Sequence, residues 1–157
     1  MMKIEELMTK QVQACRAQDT LARAAQIMWE QDCGVVPVVD DEGRVVGMLT
    51  DRDGFMATYT QGRRLDEVTV GSAMAHKVYA CQPGDDIHTA ERLMREAKIH
   101  RLPIVDAEGR LAGILALADL ARHVHRTGRK PDDGLSTQSV ALTLAAISSA
   151  RADTSPN

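Results

Sequence analysis

Slid along itself by 66 residues, the chain matches without a gap. Residues 12–53, "VQACRAQDTLARAAQIMWEQDCGVVPVVDDEGRVVGMLTDRD", lie over residues 78–119, "VYACQPGDDIHTAERLMREAKIHRLPIVDAEGRLAGILALAD", and 16 of the 42 positions are identical. Among the identities are Cys15/Cys81, Pro37/Pro103, Asp40/Asp106, Gly43/Gly109, Gly47/Gly113 and Asp53/Asp119. A repeat this long is a complete unit of strands and helices rather than a solenoid turn. Whatever the first half folds into, the second half folds into as well.

Each unit has the same grammar. A short strand ("VQAC", "VYAC") leads to Asp19 or Asp85, read as a helix N-cap. Apolar residues then recur at helical spacing: Leu21, Ala24, Ala25 and Met28 in one copy, Ile87, Ala90, Met94 and Ala97 in the other. Gly34 reads as the helix stop in the first unit. An apolar strand passes through Pro37 or Pro103, which restricts it to an edge or a strand start. "DDEG" and "DAEG" make tight turns, and a third strand runs into a second helix. The fold class is α/β (α+β): two β-α-β-β-α repeats packed sheet against sheet about a pseudo-twofold axis, plus a C-terminal helix. The boundaries fall at residues 1–65, 66–127 and 128–157, with "TQGRRLDEVTVGSAMAHK" as the linker. In the tail, residues 126–135 read as loop. Ser136 caps a helix with Val140, Leu144 and Ile147 on one face, and the last residues read as disordered.

A unit of about 60 residues buries little core alone, so the two are expected to share one. Net charge is −3 with both signs mixed along the chain, which argues against a nucleic-acid partner. Aromatic content of 3% leaves no stacking platform for single strands. The three cysteines, Cys15, Cys33 and Cys81, form no C-x-x-C pair and read as buried apolar residues in a reducing compartment. The opening "MMKIEELMTK" has no apolar signal core, and no stretch approaches membrane-spanning length, so a cytoplasmic protein without a membrane partner is expected. His123 and His125, two apart on a helix, make a poor metal pair, and no metal site is expected. His76 and His88 read as solitary polar residues, and Trp29 and Phe55 as packing residues at a helix surface or a dimer interface. No nucleophile–base pair, P-loop or H-E-x-x-H is present, so no catalytic residues are assigned.

The stretches "LMTKQV", "VVPVVDDEGRVVGMLTDRD", "HRLPIVDAEGRLAGIL" and "ALAD" resemble the cystathionine-β-synthase (CBS) domain family, over residues 7 to about 125. The tandem arrangement resembles a Bateman module. The resemblance implies two clefts between the repeats that take adenosyl compounds, and pairing into disc-like dimers. It implies a non-catalytic sensor whose dimer rearrangement regulates a partner that the sequence does not name. AMP, ADP or ATP are the expected ligands, ahead of S-adenosylmethionine or NAD, with no obligatory cofactor. The rival is a structural dimerisation or adaptor module with degenerate clefts.

Thr50-Asp51-Arg52-Asp53 has the form of a capping box, with Thr at the N-cap and an acid three residues on. The same geometry suits a nucleotide. A helix N-terminus attracts phosphate, a carboxylate accepts from ribose hydroxyls, and Arg52 can hold phosphate oxygens bidentately. The resemblance implies that Thr50 and Asp53 contact ligand, facing Val78, Tyr79, Ile99, His100 and Arg101 of the other repeat, with Met48 on the base. It also implies that the His100-Arg101 pair meets phosphate. Their other reading is cations at a solvated helix end. The second copy reads Ala116-Leu117-Ala118-Asp119 and has lost the hydroxyl and the cation. The second cleft, expected from Gly34, Val35, Ile114 and Asp119, is therefore the weaker one.

Overall fold

The computed structural model describes residues 1–128 and 134–149. Repeat 1 comprises α1 (Leu21–Glu30), β1 (Val35–Val39), β2 (Val45–Thr50) and α2 (Asp51–Gln61), followed by one turn of helix, α3 (Val70–Ala73). Repeat 2 comprises α4 (Ile87–Ala97), β3 (Arg101–Val105), β4 (Leu111–Ala116) and α5 (Leu117–Thr127), and α6 (Thr137–Ser148) follows. Each repeat holds one antiparallel pair, β1–β2 or β3–β4. Gly43 and Gly109 take φ of +78° and +82° in the two hairpin turns, a region open to glycine at little cost. Asp40 and Asp106 brace those turns by accepting from backbone N–H groups two and four residues on.

The pseudo-twofold relation is written into the hydrogen bonds. Val45 N donates to Gly109 O, and its image, Leu111 N, donates to Gly43 O. The sheets thus meet at their hairpin ends, beside the Arg44–Arg110 bridge.

The two cores do not follow the chain's division into repeats. Met2, and Ile4 at the start of a 3-10 turn over Ile4–Glu6, are buried with Ile87, Met94, Leu102, Ile104, Leu115 and Leu120 of repeat 2. Val68 and Val70 are buried with Leu21, Ile27, Val36, Val38 and Leu49 of repeat 1. Thr9 bridges Ile114 in β4, and Ala75 bridges Met48 in β2, as images of one another. The leading segments are exchanged, each completing the other repeat. The segment expected as a plain linker is therefore core-forming in its second half.

This exchange explains a conserved spacing within the chain, Gly47 and Gly113. A Cβ on Gly113 would lie 2.6 Å from the Thr9 carbonyl oxygen, whereas one on Gly47 meets the flexible Met74 Sδ first and the Ala75 carbonyl at 3.0 Å. Gly113→Ala is expected to lower stability by about 1–3 kcal/mol, as overpacked cores do. Gly47→Ala should cost less, because a thioether can move and a bridging backbone cannot. Thermal melts of the two variants check the order; equal melting temperatures would remove the close-approach argument.

Several local expectations are corrected. The helix caps are Thr20 and Asp86, not Asp19 and Asp85. Asp19 and Asp85 reach back to the N–H groups of Arg16 and Gln82 and close the preceding turns, which leaves the next residue to cap. Gly34 does not stop α1, which ends at Glu30 with Asp32 at φ +49°; its image Lys98 does the same for α4 at φ +53°. The strands "VQAC" and "VYAC" reduce to single parallel bridges, Cys15–Val38 and Cys81–Ile104. The next ladder bond would need an N–H from Pro37 or Pro103, and proline has none. α5 takes residues 126 and 127 from the expected loop, and residues 129–133 and 150–157 lie outside the described residues. On α6 the inward face carries Val140, Thr143 and Ile147, while Leu144 is 49% exposed. Thr143 enters because its hydroxyl finds partners in repeat 2. His88 is not solitary, since its Nδ1 lies 3.0 Å from Glu91 Oε2.

Candidate functional site

The register places Thr50, the last residue of β2, opposite Val35, and Arg101, the first of β3, opposite Ala116. Both strands therefore deliver their ends to the side where α2 and α5 begin. Thr50 Oγ1 accepts from Asp53 N at 3.1 Å, and Asp53 Oδ2 accepts from Thr50 N at 3.1 Å. The capping box is formed, and it leaves chemistry over. The Thr50 hydroxyl proton remains a donor, and a carboxylate accepts through both oxygens.

A cavity of about 1260 Å³ opens here between the repeats. Repeat 1 supplies Met48, Thr50, Asp51, Arg52 and Asp53 to its wall, and repeat 2 supplies Tyr79, Ile99, His100 and Arg101. Val78, half-buried, is not on that wall. Gly34 and Val35, expected at the second cleft, border this cavity, whereas Ile114 and Asp119 do not. Ile114 exchanges backbone hydrogen bonds with Thr9. Asp119 accepts from Ala116 N at 2.8 Å through one oxygen and is ion-paired with Arg122 through the other. Its carboxylate is engaged by its own helix, and no hydroxyl caps α5.

Position 34 against 100 is glycine in one copy and histidine in the other. Asp51 N donates to Gly34 O, and Leu117 N donates to His100 O, so the backbone is the same. A Cβ on Gly34 would come within 3.0 Å of Asp51 Oδ2. In repeat 2 the residue matching Asp51 is Leu117, which turns into the core. A side chain fits there, and it is an imidazole facing the cavity.

Two cations on the wall carry no motif. Lys77 stands 5.1 Å above the Tyr79 ring, and hydrogen bonding to Tyr79 together with its charge raises the lysine's pKa. Lys98 sits in the left-handed turn after α4, where its Nζ donates to the Ser149 carbonyl at 3.5 Å. Their only sequence signal is position, one residue before Val78 and two before His100. Ile147 and Ser149, from the end of α6, also reach the wall. The cavity thus gathers Arg52, Lys77, Lys98, Arg101 and the His100 imidazole around Asp51 and Asp53.

Cys15 and Cys81 are buried as expected, whereas Cys33 is only half-buried and its thiol donates to Val35 O at 3.4 Å. Burial, and after it the nearby charge of Asp19 or Asp85, pushes Cys15 and Cys81 up to about 11, so both stay protonated at neutral pH. Among the described residues no group of three or more His, Cys, Asp or Glu side chains is arranged to hold a metal ion, and no helix is long and apolar enough to cross a membrane.

The family model of the CBS domain matches residues 4–57 and again residues 70–126. The CBS domain-containing protein YhcV of Bacillus subtilis (strain 168) is 38% identical over 121 residues, which is 77% of this chain and 84% of that one. The crystal structure of Hypoxic Response Protein I with two coordinated zinc ions superposes with a TM-score of 0.71 at 33% identity, covering 78% of this chain and 98% of that one. The structure of CBSX2 in complex with AMP gives 0.68 at 25% identity, over 81% and 98%. Matched once in each half, and folded as those structures are, the chain belongs to the CBS domain family and carries two CBS domains in tandem.

Proposed function

We propose that the chain is a non-catalytic sensor that binds an adenosyl nucleotide, AMP, ADP or ATP, in the cavity between its CBS domains. What carries the reading is the convergence of Thr50, Arg52 and Asp53 from one domain with Lys77, Lys98, His100 and Arg101 from the other. An anion leaving water needs replacement partners, and this wall supplies them. The AMP complex of the CBSX2 relative supports the adenosyl class. S-adenosylmethionine ranks lower because its sulfonium would face four cations. Asp53 is the ribose acceptor, Arg52 and Arg101 the phosphate clamps, and Met48 and Ile99 the apolar faces for the base. The second cleft, centred on Asp119, is the weaker site.

The module acts as a homodimer that regulates a partner protein. Trp29 on α1 is 86% exposed, and Phe55 and Tyr59, one turn apart on α2, are 74% and 78% exposed, large aromatic side chains suited to burial by a second copy. Ligand acts by binding one arrangement of the domains better than another.

The test is a melting screen with AMP, ADP, ATP and adenosine. A ligand at 100-fold its dissociation constant adds about 2.7 kcal/mol, a shift of roughly 5–10 °C for a chain of this size. If no adenosyl compound moves the melt at millimolar concentration, the adaptor reading with degenerate clefts replaces this one.

A further inference from the structure

We infer that helix α6 and the phosphates of a bound nucleotide are alternative occupants of one edge of the cavity, so that nucleotide binding loosens α6 from repeat 2. The inference rests on the nucleotide reading above and concerns a segment that lies beyond the family match at residue 126.

α6 is seated on α4 and α5. Ser136 caps it by accepting from Ser139 N. At its centre Thr143 Oγ1 accepts from Arg95 Nη1 at 2.9 Å and stands 3.4 Å from Glu91 Oε1. Glu91 is 1% exposed and is also reached by His88. Beside Thr143 the described apolar contacts are Val140 and Ile147 on the helix and Leu135 just before its cap. A seat with a polar centre and a few separated aliphatic side chains is weaker than one built from a continuous apolar stripe.

The far end of α6 borders the cavity. Ile147 and Ser149 stand on the same wall as Thr50, Arg52, Asp53, His100 and Arg101. The last carbonyls of a helix lack intrahelical partners and carry about half a negative charge between them. Here the carbonyl just past the helix end, Ser149 O, accepts from Lys98 Nζ on the cationic wall. A phosphate entering this wall brings full negative charge beside that helix end and is repelled by it. It also offers Lys98 a charge-assisted bond, stronger than one to a neutral carbonyl. Ligand and helix end cannot both be optimally satisfied, and the coupling is reciprocal: the factor by which α6 weakens phosphate binding is the factor by which phosphate weakens α6 docking.

The output follows from the repeat. Arg95, which holds Thr143, is the image of Trp29. α6 therefore covers on repeat 2 the face that repeat 1 leaves open. Release of α6 presents matching faces on both repeats.

The test uses the whole 157-residue chain. Thr143→Glu puts a longer side chain and a second carboxylate against buried Glu91, more than the one guanidinium of Arg95 offsets, and Val140→Asp puts charge under the helix; both detach α6 without touching the cavity. Leu142→Asp, on the exposed side, controls for added charge. Circular dichroism melts confirm that each variant is folded. By isothermal titration, Thr143→Glu and Val140→Asp are expected to bind ATP about 5-fold or more tighter than wild type and Leu142→Asp, in the usual range of allosteric coupling. Adenosine, without phosphate, should bind all four alike. In wild type, ATP should lower hydrogen-exchange protection over residues 140–147. Equal ATP affinity in all four, or weaker binding in the two detaching variants, overturns the competition while leaving the nucleotide reading intact. Absence of ATP binding throughout overturns both.

Discussion

Ile4→Ala is expected to destabilise the protein by about 2–5 kcal/mol, the range for truncating a buried isoleucine. For a chain of this size the melting temperature falls by roughly 5–15 °C. A residue in a short leading segment outside the sheets ordinarily tolerates such a change. Ile4 does not, because its side chain is fully buried among Ile87, Leu102, Ile104 and Leu115, and its N–H donates to Asp85 O. Leu142→Ala, on the exposed side of α6, provides the comparison and should stay within about 0.5 kcal/mol. Denaturant melts of both decide the matter. A loss under 1 kcal/mol for Ile4→Ala would show that repeat 2 closes without the leading segment.

Arg101→Ala is expected to weaken ATP binding by about 1.5–3 kcal/mol, the range for hydrogen bonds to charged groups. Adenosine affinity should barely change, since the lost partner served phosphate. Asp53→Ala should weaken both ligands, because ribose is common to them. It also removes the acceptor for Thr50 N, so its melt must be recorded beside its affinity. Asp119→Ala should leave nucleotide affinity nearly unchanged, since that carboxylate is held by Ala116 N and Arg122. Titration calorimetry on the three variants separates the sites. Loss of binding in Asp119→Ala with none in Arg101→Ala would reverse the assignment of the clefts.

The regular part of the fold was legible because it is local and repeated. Third-strand ends at Thr50 and Ala116, hairpins at Gly43 and Gly109, and helices after each strand follow from patterns within ten residues. The caps were displaced by one because Asp19 serves a turn that a helical pattern does not contain. The reduction of "VQAC" to a bridge depends on the missing N–H of Pro37 on a neighbouring segment. The exchange of residues 2–9 and 68–75 has no signal in either segment alone; it appears only when Gly47 and Gly113 are seen to admit a passing backbone. At the cavity, Thr50, Arg52, Asp53, His100 and Arg101 were marked by motif and by resemblance. Lys77 and Lys98 were not, since a lysine on a loop looks the same whether it faces solvent or a cleft. The tail helix was legible as a helix, but its seat was not, because Thr143 enters the interface through Glu91 and Arg95 rather than through hydropathy.

The crossed leading segments also set a timetable. When the ribosome has released residues 1–60, repeat 1 still lacks Val68 and Val70, and Met2 and Ile4 have no pocket to enter until Ile87 to Val124 has emerged. Neither half can finish early, and the contacts that complete repeat 2 span most of the polypeptide, a separation that slows folding. Until repeat 2 has emerged, the nascent chain carries an unpaired apolar hook. The same two hooks, traded between two polypeptides instead of within one, would build an intertwined pair at little cost. In a single chain the trade is closed on itself, so the halves cannot be shuffled apart, and an excised repeat must borrow its missing strand-edge segment from a neighbour.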